Sequence, residues 1–533
     1  QKLAKKSKKS ASWQGSLGSG KVLRTAMPLL KTDELAAMVG YDCDSHVTGS
    51  VTITTKLLTP LWNLLVTIVP ADVAPNALSL AGLICLVHAM YLCYYDTSAD
   101  GTEENSQVRA AVCAVLIVCF WTLDALDSIH AQRIGSRTAL TLIFDSICST
   151  TGTVFLTLVV CSTMSISDPL SLWYAVQVAQ LGLLNKHIMG AVKDVLSYLA
   201  FNGPGELLAS LVALLLVRSW FGLSIFSWVY RVTLDVGHRF VEFDEPHYDE
   251  DPYGYIQMAL RTSYWLIMGM TVVRAATLPG RLHETRVRLL ICLGYRAVPA
   301  LLVWLLPRPV AMGLPQVLCD GLFMAIVTTD VLVSRMGKRQ LHPWVVMMGM
   351  GSLVSSVTTI FCVIFYTVKL LHEISKYTRE SVMSANINVY CDGVYDLLHR
   401  GHINAYKNAL KHGTRLFVGV CSDEDVLKYK RAPIMTTEER IHAVETCKYV
   451  DKVIPNCPCT RGALDAEFIR KHNIHIVCAG LEYDKEGDLW YDAPRQMGIL
   501  RYLPRTEGMS TSTLIRRIQQ RYAEDGEDKP KDK

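Results

Sequence analysis

Two short stretches bring reactive side-chain types together at close spacing. The first, WTLDALDSIHAQRIGSRTALTLIFDSICST at 121–150, holds Asp124, Asp127 and Asp145 in an otherwise apolar segment. Asp124 and Asp127 lie three apart and share a helix face, and Asp145 can meet them from the next helix. Three carboxylates in that arrangement suit Mg²⁺ or Mn²⁺, hard cations that take oxygen ligands and can bridge a diphosphate. A polar contact that only packs a helix bundle is the plainer use of the same acids. The second stretch, CDGVYDLLHRGHINAYKNALKHG at 391–413, ends a strand near Asp392 and places His399, Arg400, Gly401 and His402 at the start of a helix. Free N–H groups and positive potential gather there, so two imidazoles at that point can hydrogen-bond a triphosphate. Gly401 permits a close approach.

The elements that must position these residues differ in kind. From about Val51 to His372 apolar runs dominate, whereas Glu373 to Lys533 is an ordinary charged sequence, so the 533 residues read as two fused bodies. The predicted domains are an N-terminal cytosolic segment at 1–50, a membrane domain at 51–372, a linker at 373–385, a nucleotide domain at 386–520 and a charged tail at 521–533. The net charge of +4 gives no case for nucleic acid. Part of it sits in KKSKK near the start, which suits a solvated tail facing anionic headgroups on the cytosolic side. The sixteen cysteines show no paired spacings and read as reduced thiols.

A spanning helix needs about 20 mostly apolar residues. Candidates lie near 77–95, 108–126, 139–163, 169–187, 206–229, 256–278, 286–306, 310–334 and 343–371, and the 169–201 region can hide one more. Both ends on the cytosolic side require an even count, which favours eight or ten spans. TTKLLTPLWNLLVTIVP before them suits a helix lying in the membrane interface. Residues 387–520 alternate β-rich stretches (INVYCD, RLFVGVCS, IHIVCAG) with helical ones, the pattern of βαβ units and a parallel sheet. The expected fold is thus a polytopic α-helical membrane bundle of 8–10 spans with a C-terminal α/β, Rossmann-like domain.

Residues 121–149 resemble the signature of CDP-alcohol phosphotransferases, DxxDGxxAR, eight residues, GxxxDxxxD. WNLLVTIVPADVAPNALSLAGL and FNGPGELL resemble its choline/ethanolamine branch. Asp124, Asp127, Ala131 and Asp145 keep the pattern, but Ser128 replaces its first glycine, Gln132 its arginine, Thr141 its second glycine and Ser149 its fourth aspartate. Ser146 stands where the branch commonly has histidine. The resemblance assigns the fourth aspartate to a second metal and to deprotonating the lipid alcohol, and neither serine is a base near neutral pH. The expectation is a bundle that keeps the fold with a degenerate site, for which His130 and Glu206 are candidate substitutes.

The HxGH of 399–402 and the RTEGMSTS of 505–512, in that order and at that separation, resemble cytidylyltransferases over residues 386–520. The resemblance implies that CTP and a phosphorylated alcohol give a CDP-alcohol and diphosphate, with the protein positioning and stabilising charge. It implies roles for His399 and His402 on the phosphates and for Lys430 on the α-phosphate and the substrate phosphate. Arg505, Gly508, Ser510 and Thr511 would hold CTP, and Asp396 would order the loop before the histidines. The alcohol pocket is expected to involve Glu482, Tyr483, Trp490 and Tyr491. Glu482 could meet the primary ammonium of phosphoethanolamine, and the three rings could cage the quaternary ammonium of phosphocholine or could equally be core residues, the more common use of buried aromatics. DLWYDAPRQMGIL resembles ethanolamine-phosphate enzymes more, so phosphoethanolamine is favoured.

The expected protein is therefore a cytidylyltransferase of the Kennedy pathway toward phosphatidylethanolamine, with Mg²⁺ or Mn²⁺, anchored in the endoplasmic reticulum with both termini cytosolic. Alternatives are a bifunctional enzyme that also passes the phosphoalcohol to diacylglycerol, and a bundle that only binds membrane lipid or serves assembly. Both families are often dimeric, which implies a homodimer.

Overall fold

The computed structural model describes residues 28–41, 43, 47–49, 52–70, 72–94, 103–193, 196–198, 203–225, 252–305, 313–378, 380–458, 464–485 and 489–525. The KKSKK segment and part of FNGPGELL lie outside them. The first body is helical: α1 (Thr32–Val39), a short strand β1 (Val47–Gly49), α2 (Ile53–Leu65), α3 (Pro75–Tyr94), α4 (Glu103–Arg133), α5 (Ala139–Thr163) and α6 (Pro169–Lys193). It continues through β2 (Leu196–Tyr198), α7 (Pro204–Phe221), α8 (Pro252–Ala276), α9 (His283–Leu305), α10 (Leu314–Met336), α11 (Pro343–Ser352) and α12 (Ser356–Thr378).

Among the described residues six helices are long and apolar enough to cross a membrane, namely α3, α4, α5, α7, α10 and α12. That is fewer than the eight to ten spans expected. α6, α8 and α9 are also long, but Lys186 and Lys193, Arg261 and Arg274, and Arg286, Arg288 and Arg296 interrupt their apolar runs. The described residues of the 169–201 region form one helix and a short strand. The stretch expected as one span at 343–371 breaks between Ser352 and Ser356 into α11 and α12. α10 is the hub, buried along its length from Val317 to Met336 against α5, α6 and α12. Its charges are satisfied internally: Asp320 pairs with Arg296 and accepts from the Trp173 indole at 2.7 Å, while Asp330 pairs with Arg339. Charges removed from water persist only when partnered in this way.

The second body is α/β: β3 (Asn388–Gly393), α13 (Arg400–Ala409), β4 (Arg415–Val420), α14 (Asp423–Val426), α15 (Thr437–Glu445), β5 (Lys452–Pro455), α16 (Ala466–Lys471), β6 (Ile476–Gly480), α17 (Asp492–Gln496), β7 (Leu500–Leu503) and α18 (Thr511–Asp525). Its five strands are all parallel in the order β5-β4-β3-β6-β7. Val389, Tyr390, Leu416 and Val418 are buried, as near-continuous apolar strands must be when helices cover both faces. Ligands of such sheets bind outside the carboxyl ends of the strands, where the order reverses about β3.

The two bodies meet at the opposite, amino-terminal edge of the sheet. His475 Nδ1 accepts from the Asn388 amide at 3.0 Å, which leaves its Nε2–H to donate to the Ile134 carbonyl at 2.9 Å. Asn473 Nδ2 donates to the Gly135 carbonyl at 2.7 Å and Asn386 Nδ2 to Ser136 Oγ at 3.3 Å. Gly135 has φ +59°, and a Cβ there would stand 2.1 Å from the Asn473 amide, so only glycine serves at this turn. The anchored loop joins α4 to α5, the two helices that carry the aspartates. Asn76 of α3 donates to the Val382 carbonyl at 2.8 Å, fastening the connecting segment to the same end of the bundle.

Candidate functional site

At the carboxyl end of β3 the chain turns into α13. His399 is the N-cap, its Nδ1 accepting from the Gly401 amide at 3.1 Å, and the His399 amide points at His402 Nδ1 at 3.4 Å. The rings stack with centroids 3.9 Å apart and planes 14° from parallel. A Cβ on Gly401 would lie 2.8 Å from the His399 ring, so glycine is required for this cap. Since both Nδ1 atoms accept, both Nε2 atoms are left as donors. Burial holds both rings below the ordinary histidine range, His402 at about 3 with the neighbouring His399 adding to the effect. The pair is therefore neutral near pH 7: two aligned N–H donors rather than two cations.

The loop before α18 approaches this pair. Thr511 Oγ1 donates to the Asp396 carbonyl at 3.3 Å and lies 3.5 Å from His399 Nε2, and Asn404 Nδ2 reaches Thr506 Oγ1 at 3.3 Å. Ser510 caps α18, accepting from the Thr513 amide at 3.1 Å. Arg505, Gly508 and Ser510 line one recess with Thr506 and Glu507. The Asp396 carboxylate accepts from the amides of Ile434 and Met435 at 3.0–3.1 Å. It thus ties the loop preceding the histidines, which carries Asp396, to the segment that follows Lys430. Lys430 is exposed beside the Tyr429 ring, 5.6 Å from its centroid, and its charge is felt at both His402 and Asp392.

The three rings expected at the alcohol pocket lie together, with Tyr491 buried in the core of the sheet domain and Tyr483 and Trp490 packed against it. Tyr483 and Tyr491 meet edge to face at 5.1 Å, Tyr483 and Trp490 at 6.4 Å, and Tyr429 closes the set against Trp490 at 5.3 Å. One acid joins the set: Asp392 accepts from the Tyr491 hydroxyl at 2.9 Å. Desolvation pushes its carboxyl up to about 6, opposed by that bond and by Lys430. Glu482 is exposed on the one-turn helix Leu481–Tyr483 and folds back over Gly480. Asp392 and Tyr429 escaped the sequence reading. The available signal was a lone acid ending an apolar strand, INVYCD.

In the bundle, Asp124, Asp127 and Asp145 each bring one carboxylate oxygen within 4.8 Å of the others. Ser149 Oγ stands 3.2 Å from Asp124 Oδ1 and 3.4 Å from Asp145 Oδ1, so it hydrogen-bonds the acids where a fourth carboxylate would have joined them. Ser79 of α3 donates to Asp127. Asn76, Ser79, Ser128, Thr141 and Asp145 line one pocket with Asp127. Thr141 is also part of the α5 cap with Thr138, Gln132 is exposed, and Ser146 Oγ is buried away from any hydrogen-bond partner. His130 is engaged by the Val73 carbonyl at 3.0 Å and Glu206 by Thr54 at 2.9–3.0 Å, which ties both to helix packing. Three carboxylates and neutral hydroxyls form an oxygen-only donor set that fits one hard divalent cation.

Residues 390–517 match the family described as cytidylyltransferase-like, which covers the histidine pair, Lys430, the ring cluster and the 505–511 loop. Choline-phosphate cytidylyltransferase A of Homo sapiens is 41% identical over 140 residues, 26% of this chain and 37% of that protein. Choline-phosphate cytidylyltransferase 2 of Arabidopsis thaliana is 39% identical over 142 residues, 26% of this chain and 46% of that protein. Ethanolamine-phosphate cytidylyltransferase of Dictyostelium discoideum is 37% identical over 134 residues, 25% of this chain and 36% of that protein. The chain spans less than half the length of these curated relatives. A lipopolysaccharide core biosynthesis protein from Thermoplasma volcanium matches at 23% identity and TM-score 0.20, over 23% of this chain and 97% of that one.

Proposed function

We propose that this chain, whose C-terminal part is a cytidylyltransferase-like domain, makes a CDP-amino alcohol from CTP and a phosphorylated amino alcohol while anchored in a membrane by its helical body. The observation that carries the reading is the stacked pair of neutral imidazoles capping α13, with Thr511 beside them. A substrate phosphate oxygen attacks the α-phosphorus of CTP, the bond to the β-phosphate oxygen breaks, and diphosphate leaves. His399 and His402 donate N–H groups to the negative charge that grows on the phosphates, and fixed donors of this kind need no reorganisation during the reaction. Lys430, exposed and within electrostatic reach of both the pair and Asp392, draws the two anionic reactants together. The loop of Arg505, Gly508, Ser510 and Thr511 holds the nucleotide. Mg²⁺ or Mn²⁺ would accompany CTP and neutralise phosphate charge.

For the alcohol, the ring cluster favours phosphocholine. A quaternary ammonium has no N–H to donate and is held by aromatic faces and a nearby negative charge. Tyr429, Tyr483, Trp490 and Tyr491, with Asp392 on the Tyr491 hydroxyl, would supply such a set, whereas Glu482, the acid expected to meet a primary ammonium, stands exposed. Phosphoethanolamine remains the second substrate, since Asp392 can also accept from a primary ammonium.

The bundle is read as a membrane anchor, in the endoplasmic reticulum with the nucleotide domain in the cytosol, that retains one divalent-cation site at Asp124, Asp127 and Asp145 without turnover. Ser149 occupies the place of a base and donates to the acids instead. The purified full chain, given CTP and either phosphoalcohol with or without diacylglycerol, should yield CDP-choline as main product and only traces of phospholipid by mass spectrometry. Failure to form any CDP-alcohol would overturn the reading.

A further inference from the structure

Ser79 to Asp127 and Cys93 to Cys113 are successive contacts of one antiparallel helix pair. Ser79 of α3 donates to Asp127 of α4, and fourteen residues further along α3 and fourteen back along α4 the sulfurs of Cys93 and Cys113 stand 3.6 Å apart. Four helical turns take about 14.4 residues, so the two contacts belong to the same facing stripe, about 21 Å apart along the axes. Cys113 Sγ also lies 4.0 Å from the Ala89 carbonyl oxygen, one turn before Cys93, so the backbones come close here. Cys113 is fully buried, Cys93 is half-buried, and Ser162 near the end of α5 stands beside Cys93. α5 begins at the loop that holds the nucleotide domain, so this sulfur pair sits at the opposite end of the bundle.

We propose that Cys93 and Cys113 form a disulfide between α3 and α4, toward the face of the membrane remote from the nucleotide domain. The assignment of faces rests on the membrane reading above. CTP is a cytosolic substrate, and the far face of a secretory-pathway membrane meets an oxidising compartment in which disulfides persist. The sulfurs must close from 3.6 Å to about 2.05 Å. The Cys93 thiolate attacks one sulfur of a disulfide oxidant and expels the first thiolate. The Cys113 thiolate then attacks the Cys93 sulfur of the mixed disulfide and expels the second. Two electrons and two protons pass to the oxidant, which leaves as two thiols. Cys421 and Cys457, buried in the nucleotide domain at 3.7 Å, supply an internal control, because the cytosol keeps that pair as thiols. The linkage would lock α3, which carries Asn76 and Ser79, to α4, which carries Asp127.

The test uses membranes from cells expressing the full chain, quenched with N-ethylmaleimide in denaturing detergent, digested without reductant and mapped by mass spectrometry. The expected result is at least a tenfold excess of joined Cys93–Cys113 peptide over the doubly alkylated peptides, with Cys421 and Cys457 alkylated. In Cys93→Ser the joined peptide should vanish and Cys113 become alkylated. Recovery of Cys93 and Cys113 as alkylated thiols in the unaltered chain overturns the proposal. Alkaline carbonate extraction of the same membranes tests the membrane reading separately, since an anchored chain stays in the pellet whatever the state of its cysteines.

Discussion

His475 Nε2 lies 2.9 Å from the carbonyl oxygen of Ile134, joining the amino-terminal edge of the nucleotide domain to the loop between the two aspartate-bearing helices. Because the stacked His399–His402 pair lies at the other end of the sheet, the proposed nucleotide site is on the side away from this contact. Burial keeps the His475 ring below the ordinary histidine range, and its Nδ1 must stay deprotonated to accept from Asn388. A depressed base contributes stability above its unfolded pKa and loses it as pH falls through the folded one. Docking is therefore expected to hold near pH 7 and to weaken as the pH drops below about 6.5. Limited proteolysis of the 379–387 segment at matched protease activity reads this. His475→Ala should cost about 1–3 kcal/mol at neutral pH through the unpaired groups it leaves, and cleavage indifferent to both changes would contradict the role.

His402→Ala should lower kcat for CDP-alcohol formation by about 10²–10³-fold, the usual loss of one fixed donor to developing charge. Its thermal unfolding should shift less than a full core truncation would, because the ring, edge-on to Tyr395 at 5.3 Å, is half-buried at the helix start. Turnover within a few-fold of the unaltered chain would remove His402 from the mechanism.

Competition kinetics should show kcat/KM higher for phosphocholine than for phosphoethanolamine. Trp490→Ala should raise KM for phosphocholine about tenfold, the scale of a cation–π contact of about 1 kcal/mol or slightly more. Its effect on phosphoethanolamine should be smaller. The opposite ranking would restore phosphoethanolamine as the substrate.

The Asp392 carboxyl titrates at about 6 in the free protein, and its attraction for a cationic alcohol exists only in the ionised form. KM for phosphocholine should therefore be flat above pH 7 and rise as the pH falls through about 6, approaching about tenfold per unit below it. Asp392→Asn should remove that dependence and leave KM high throughout. A profile unchanged by the substitution would assign the titration to another group, such as the substrate phosphate.

Given CDP-choline or CDP-ethanolamine with diacylglycerol and Mg²⁺ or Mn²⁺, the protein is expected to make little phospholipid. Ser149→Asp alone should leave it nearly inactive, since Ser128 and Gln132 also depart from the pattern. Metal-dependent product that disappears in Asp127→Ala would show that the bundle still performs transfer.

Local spacing alone determined the parts of this protein that depend on one helix or one turn. HRGH had to cap a helix, because a histidine at that point can accept from the amide two residues on while a glycine between the rings leaves them room to stack. Asp124, Asp127 and Asp145 had to share one face of two consecutive helices, and alternating apolar strands and helices could only give a parallel sheet. Tertiary structure decided what depends on residues distant in the chain. It set Asp392 on the Tyr491 hydroxyl, because a strand end and a loop about a hundred residues later meet only once the sheet is ordered. It turned Asp396 toward the segment after Lys430, tied His130 and Glu206 to helix packing, and seated His475 on Ile134. Hydrogen-bond partners more than three hundred residues apart have no period to read, since only the packing of complete helices and sheets brings them within 3 Å.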